Sequence, residues 1–200
     1  MAGTQHIWYA TYGSNLNEDR LMCYIKGGAP TPNHEPHPGC RVQKIPSANS
    51  WSHIPYELYF SGVSQSWGGA PAYISPEVVN LSQTEVRLYR LEQSQFEDVF
   101  AQENGLQQGD IWLNDDLTEI IGMHPAAKYS KLIRLGDYNG EPAMTFTSPD
   151  RLEPGVPSAL YLSMFVEGFR QGGWYERDIK EYLLSLPGVD EETVSAAMKM

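Results

Sequence analysis

Apolar residues follow two different periods along this chain. Ile7-Trp8-Tyr9-Ala10-Thr11-Tyr12 is a run of β-branched and aromatic residues stopped by Gly13, the pattern of a buried strand. From Glu18 to Lys26 the period changes: Leu21, Met22 and Ile25 share one face, predicting a short helix capped by Asn17. Tyr56 to Val63, Ala70 to Ser75, Thr84 to Leu91, Lys128 to Leu135 and Ala143 to Thr147 read as further strands. Among them, Ser94 is placed to cap a helix whose Phe96, Val99 and Phe100 face inward, ending near Asn104-Gly105.

The last quarter is helical. Pro157-Ser158 opens a helix with Leu160, Tyr161, Met164, Phe165 and Gly168 on one face. Ile179, Tyr182, Leu183 and Leu186 mark a second, stopped by Pro187-Gly188, and Asp190 starts a third. Strands through the middle with helices inserted and at the end predict an α+β fold, a small mixed or antiparallel β-barrel with flanking helices. The 200 residues suit one domain, 1–200, helical from 157. The exception to regular patterning is 27–52, where prolines and glycines forbid a long helix and predict a surface loop, either a rim or plain connection.

Composition narrows the classes. Hydrophobic residues at 41% and charged residues at 20% are ordinary globular usage. A net charge of −11 with scattered Lys and Arg argues against a nucleic-acid partner. No apolar run reaches the length of a membrane span, and the first residues lack a basic-then-apolar leader, which predicts a soluble, cytoplasmic protein with no membrane partner. Two cysteines make no disulfide framework. Cys23 reads as a small buried residue of the first helix. Oligomeric state leaves no trace in the sequence.

Candidate chemistry begins at Tyr12-Gly13-Ser14-Asn15, between a strand and a helix. Unbonded amides at a helix start, with the helix dipole, suit a carboxylate or an oxyanion, and Gly13 permits close backbone approach. The same residues also make an ordinary capped turn. His34-Glu35-Pro36-His37 carries potential metal ligands, but its proline keeps them off a regular helix and no thiol joins at zinc spacing, so no metal is expected. Asp115-Asp116 and Asp190-Glu191-Glu192 read as a solvated turn and a helix start.

Tyr9-Ala10-Thr11-Tyr12-Gly13-Ser14-Asn15-Leu16 resembles the opening strand and substrate loop of the γ-glutamylcyclotransferase-like superfamily. Three more segments follow in the family's order. Ser66-Trp67-Gly68-Gly69-Ala70-Pro71-Ala72 resembles its Trp-x-Gly-Gly-x-Ala segment, and Phe96 to Gly105 its helix ending in Leu-Asp-x-x-Glu-Gly. Pro157-Ser158-Ala159-Leu160-Tyr161, with Gly168 and Gly172 beyond, resembles its Pro-Ser-x-x-Tyr helix.

The resemblance implies a cofactor-free enzyme acting on a small γ-glutamyl amide. The substrate's own amine attacks its γ-carbonyl, giving 5-oxoproline and a released amine. It implies Glu103 as the acid/base, with Tyr9, Ala10, Thr11, Tyr12, Gly13, Ser14, Asn15 and Tyr161 binding substrate. In this register Phe100 stands where the family has Asp and Asn104 where it has Gly; pairing Gly105 with that Gly instead would put Asn104 in the acid/base position. By pattern alone Glu103 is a solvated helix-end residue and Tyr161 a core tyrosine. Neighbouring Glu97 and Asp98 are expected to tolerate amide substitution. Two alternatives stand beside cyclisation: a related amide-processing enzyme of the same fold, and a non-catalytic metabolite-binding protein. The leaving amine would be chosen by variable loops, 27–52 or 107–124.

Overall fold

The strand predicted at the start of the chain forms as β1 (His6–Thr11), and residues 7–11 are all buried, as expected of a central strand covered on both faces. The computed structural model describes residues 4–32, 34–124 and 126–200. Their remaining elements, in chain order, are a 3-10 turn (Ser14–Leu16), α1 (Glu18–Lys26), β2 (Asn49–Ile54), β3 (Leu58–Phe60), β4 (Ala72–Ile74), β5 (Thr84–Glu92), α2 (Gln93–Glu103), β6 (Trp112–Leu113), β7 (Ile120–Ile121), β8 (Lys131–Tyr138), β9 (Glu141–Thr147), α3 (Ala159–Gln171), α4 (Glu176–Ser185) and α5 (Glu191–Ala197). The class is α+β, as the sequence predicts. No helix of the described residues is long and apolar enough to cross a membrane.

Five strands form one mixed sheet in the order β2-β5-β1-β9-β8. β1 lies antiparallel to β5, with Ile7 opposite Leu91, and parallel to β9, with Trp8 opposite Ala143. Among the described residues the pairing is open, with β2 and β8 as edges, so the expected barrel is a sheet with two small hairpins, β3-β4 and β6-β7, beside it in sequence. β2 was not predicted: its Asn49-Ser50-Trp51-Ser52-His53 run has too few apolar positions to declare a strand, and it occupies the end of the presumed 27–52 loop.

The chain divides into two compact units, each assembled from three segments: Met1–Thr11, Met22–Ser52 and Val86–Pro149 in the first, Tyr12–Leu21, His53–Glu85 and Asp150–Met200 in the second. In the first unit α2 packs on the sheet through Phe96, Val99 and Phe100, all fully buried. The Phe100 ring stacks on Phe146 at 4.1 Å, and Tyr9 meets both Phe96 and Phe146. Each such ring taken out of water contributes on the order of 1.5–3 kcal/mol, so this cluster helps to hold α2 on the sheet.

α2 starts earlier than its sequence suggests. Glu92 is the cap in place of Ser94, because Gln95 closes a reciprocal capping box with it, the Glu92 amide donating to Gln95 Oε1 at 3.0 Å. Its other end falls at Asn104 as expected, followed by Gly105 at φ +70°. Both cysteines are free, but Cys23 is partly exposed and Cys40 is the buried one. Burial and the nearby Asp98 push the Cys40 thiol from its ordinary 9.0 up to about 12.

In the second unit the 3-10 turn sits against α3. A Cβ on Gly168 would lie 2.5 Å from the Leu16 carbonyl carbon, so only glycine lets these backbones approach. Asn17 caps α1 as predicted, its Oδ1 accepting the Asp19 and Arg20 amides at 2.9 and 3.3 Å. Ser158 and Asp190 cap α3 and α5 in the same way.

Candidate active site

Three segments far apart in sequence meet inside the second unit. They are the Tyr12-Gly13-Ser14-Asn15 turn, the Trp67-to-Ala72 stretch and the start of α3. Ser158 joins two of them: its Oγ accepts the Tyr161 amide at 3.0 Å and donates to the Trp67 carbonyl. Gly69 lies so close that a Cβ there would fall 2.4 Å from the Ser158 nitrogen. The Tyr161 hydroxyl accepts the Ala72 amide at 3.0 Å, and the Trp67 ring meets the Tyr161 ring edge-on at 5.3 Å. That hydroxyl also stands 3.1 Å from where a Cβ on Gly13 would sit. Tyr161 is thus both a buried core ring and the polar group set against the turn.

The turn itself is buried at Ser14 and Asn15. Its carbonyls at Gly13 and Ser14 accept the Leu16 and Asn17 amides, while the Gly13 and Ser14 amides make no backbone hydrogen bond among the described residues. Arg20, one turn into α1 and buried, places its guanidinium over the Trp67 ring at 5.8 Å. Tyr9, Ala10 and Thr11 precede the turn on β1, in the first unit. Their side chains are buried there, and Thr11 Oγ1 donates to the Arg87 carbonyl at 3.1 Å.

Gly13→Val is expected to displace the Tyr161 hydroxyl and break its bond to Ala72. The stability loss should be roughly 1–3 kcal/mol, as for other overpacked sites. Urea unfolding measures it; an unchanged midpoint would mean that Tyr161 moves aside freely and the juxtaposition is incidental.

Glu103 belongs to the first unit, as the last residue of α2, and is half-buried. The residues around it fix that helix end. Gln102 Nε2 donates to the Tyr24 and Asp98 carbonyls at 3.2 and 3.1 Å. Asn104 Nδ2 donates to the Phe100 and Tyr129 carbonyls at 3.1 and 2.9 Å, while its Oδ1 accepts the Tyr129 amide at 2.8 Å. Asn104 is therefore occupied as a bracket on Tyr129. Lys128, next to Tyr129, is the residue that sequence reasoning missed: it lies in no matched segment. Partial burial of its ammonium lowers its pKa, and the charge of Glu103 opposes that shift.

Glu97 and Asp98, expected from the sequence to tolerate amide substitution, are tied into the fold by hydrogen bonds. Asp98 is fully buried, and its carboxylate accepts the Arg41 amide at 2.8 Å, Arg41 Nε at 2.9 Å and the Gly109 amide at 3.1 Å. Glu97 accepts the Leu113 amide at 3.0 Å and Gln93 Nε2 at 2.9 Å. Carboxylates with this many donors are structural ties, which a helical pattern alone cannot reveal.

Other candidate groups have other partners. His34 Nδ1 shares a hydrogen bond with Thr31 Oγ1, and the His37 ring packs on Tyr24 at 4.0 Å. Among the described residues no group of three or more His, Cys, Asp or Glu is placed to hold a metal ion. A cavity of about 230 Å³ in the first unit is lined by His6, Lys44, Ile45, Ser47, Arg90, Glu92 and Gln95, none a predicted site residue. Its cations are already paired, Lys44 with Glu92 and Arg90 with Glu141.

No family model matches the chain. A curated relative, histone deacetylase 5 of Arabidopsis thaliana, is 28% identical over 195 residues, covering 88% of this chain. The chain spans 30% of that protein's length. A solved γ-glutamyl cyclotransferase superposes with a TM-score of 0.58 at 15% identity, covering 98% of this chain and 100% of that one. An uncharacterized human protein gives a TM-score of 0.54, also at 15% identity, covering 98% of this chain and 99% of that one. Both structural matches run through nearly the whole chain, at identities that speak for architecture alone. The chain has the γ-glutamyl cyclotransferase fold.

Proposed function

We propose that this chain is a γ-glutamylcyclotransferase-like enzyme that cyclises the γ-glutamyl group of a small γ-glutamyl amide to 5-oxoproline and releases the amine. The observation that carries this reading is the meeting of Gly13, Ala72 and Tyr161 in the second unit, one residue from each of three motif segments. Four segments in the family's order, three of them converging on one hydroxyl, are hard to obtain from an unrelated sequence in the same fold.

The chemistry needs little from the protein beyond this. The substrate carries its own nucleophile, so holding it folded converts the attack into a favourable intramolecular step. Once the substrate's ammonium has lost one proton to solvent, the amine attacks, Glu103 takes a second proton from the attacking nitrogen as the new C–N bond forms at the γ-carbon, and the carbonyl oxygen becomes an oxyanion. The amides of Gly13 and Ser14 stabilise that charge. Collapse breaks the original amide C–N bond, and Glu103 returns the proton to the departing nitrogen. Tyr161 and Tyr12 wall the cradle, and Tyr9, Ala10 and Thr11 are the strand that carries it. Two free thiols suit a reducing compartment, and we place the enzyme in the cytoplasm.

Incubation with a panel of γ-glutamyl amides, glutathione among them, with 5-oxoproline scored by mass spectrometry, tests the activity. At least one member should yield 5-oxoproline and its amine in equal amounts. No 5-oxoproline from any member, at enzyme concentrations near that of substrate, would overturn the cyclisation.

A further inference from the structure

Resting on the reading of Glu103 as the working carboxylate, we propose that Lys128 is its fixed charge partner and positions its carboxylate, with Asn104 as the device that brings the two together. Asn104 meets Tyr129 on both sides of one residue, accepting its amide at 2.8 Å and donating to its carbonyl at 2.9 Å. A side-chain amide used this way imitates a neighbouring strand, and the third bond, to the Phe100 carbonyl at 3.1 Å, fixes the amide plane to α2 itself. Glu103 precedes one end of this bracket and Lys128 precedes the other, so each adjoins a residue that the bracket holds, and the charge of Glu103 is felt at the Lys128 ammonium.

The Tyr129 side chain is itself held in the core. Its ring is buried and packs edge-on against Phe146 at 5.8 Å. Although much of Lys128 is exposed, its ammonium turns back over that ring, 4.7 Å from the centroid. A cation over a tyrosine face is held by the ring quadrupole and loses part of its hydration. The loss of hydration is why its pKa falls, and the Glu103 charge is what counters the fall. A lysine whose ammonium has both a ring contact and a counter-charge loses part of its freedom, and it limits the freedom of the carboxylate in turn. For a group that must face a substrate nitrogen twice in one turnover, that restriction of rotamers is useful.

This role also explains a departure from the family's pattern. Asn104 occupies the position where the pattern has glycine, and glycine has no side chain with which to hold Tyr129. In this chain the second charge is therefore recruited by a side-chain bracket rather than by a residue of the motif.

The test is a double-mutant cycle on the full chain with Glu103→Gln and Lys128→Met, read by urea unfolding. The two effects should be non-additive by about fivefold in the unfolding equilibrium, the upper range for a largely exposed pair. Lys128→Arg should preserve the coupling, and an Asn104→Ala background should abolish it. On a substrate from the amide panel, Lys128→Met should lower kcat roughly tenfold with KM within about twofold, and Lys128→Arg should restore most of kcat. A structural lysine would give neither the kcat-only loss nor the rescue. Additive unfolding effects, or a Lys128→Met enzyme as fast as wild type, would overturn the proposal. If the wild type turns over no γ-glutamyl amide, the functional reading fails separately, and the unfolding cycle still decides the pair: coupling supports it and additivity removes it.

Discussion

Glu103→Gln is expected to bind a γ-glutamyl ligand with near wild-type affinity while turnover falls by roughly 10²–10⁴-fold. The amide keeps the shape of the side chain and can still accept or donate a hydrogen bond, but it cannot take a proton and give it back. The two readouts must be taken together, binding by calorimetry with a slow or unreactive amide and turnover by 5-oxoproline release. Loss of both would point to a misfolded helix end, which a wild-type urea midpoint excludes. The assignment is falsified if the variant keeps wild-type turnover. If wild type and variant are both inert yet both bind the ligand, the chain is a metabolite-binding protein that uses the same cradle.

The second large effect falls five residues earlier on the same helix, where Asp98→Asn should cost about 2–4 kcal/mol of stability. The buried carboxylate has donors on every side: the Arg41 amide and guanidinium and the Gly109 amide. An amide at that position turns its own NH₂ toward one of these donors and leaves a buried N–H without an acceptor, at about 1–3 kcal/mol for each such group. Removing the charge also weakens the bond to Arg41, though that guanidinium is 46% exposed and the ionic part is discounted accordingly. For a chain of this length each kcal/mol lowers Tm by about 2–4 °C, so the shift is visible in a single melt. A Tm within a degree or two of wild type would show that the segments around Arg41 and Gly109 hold to α2 without this carboxylate.

The two residues illustrate where sequence reasoning succeeded and where it stopped. Local pattern was enough for β1, α1 and α3–α5, because each shows a clear apolar period and a cap or breaker: Gly13, Asn17, Ser158, Pro187-Gly188 or Asp190. It failed where the determinant lies in three dimensions. β2 is a largely polar edge strand that declares itself only by pairing. Glu92 displaced Ser94 as the cap because a reciprocal bond from Gln95 outweighs a good cap residue. Whether a sheet closes or stays open is decided by strand pairing that no window of sequence contains. At the candidate site, the juxtaposition of Gly13 with Tyr161 followed from the ordered motifs. The roles of Asp98 and Lys128 did not, since both depend on partners distant in sequence, such as Gly109 and Glu103.

The order of strands in the sheet has a consequence for how the chain folds as it is made. β1 occupies the middle of the sheet, yet neither neighbour is close to it in the chain: Thr11 bonds to Arg87, 76 residues on, and its parallel partner β9 begins at Glu141. During synthesis β1 leaves the ribosome with both of its edges unpaired, and it stays so until β5 and then β9 emerge. Pairing across such separations carries a loop-closure cost before any hydrogen bond forms, which slows folding relative to a helical bundle of equal stability. The central strand of the sheet is also the one that waits longest, and that interval is when the nascent chain is most exposed to wrong pairing and to chaperone capture.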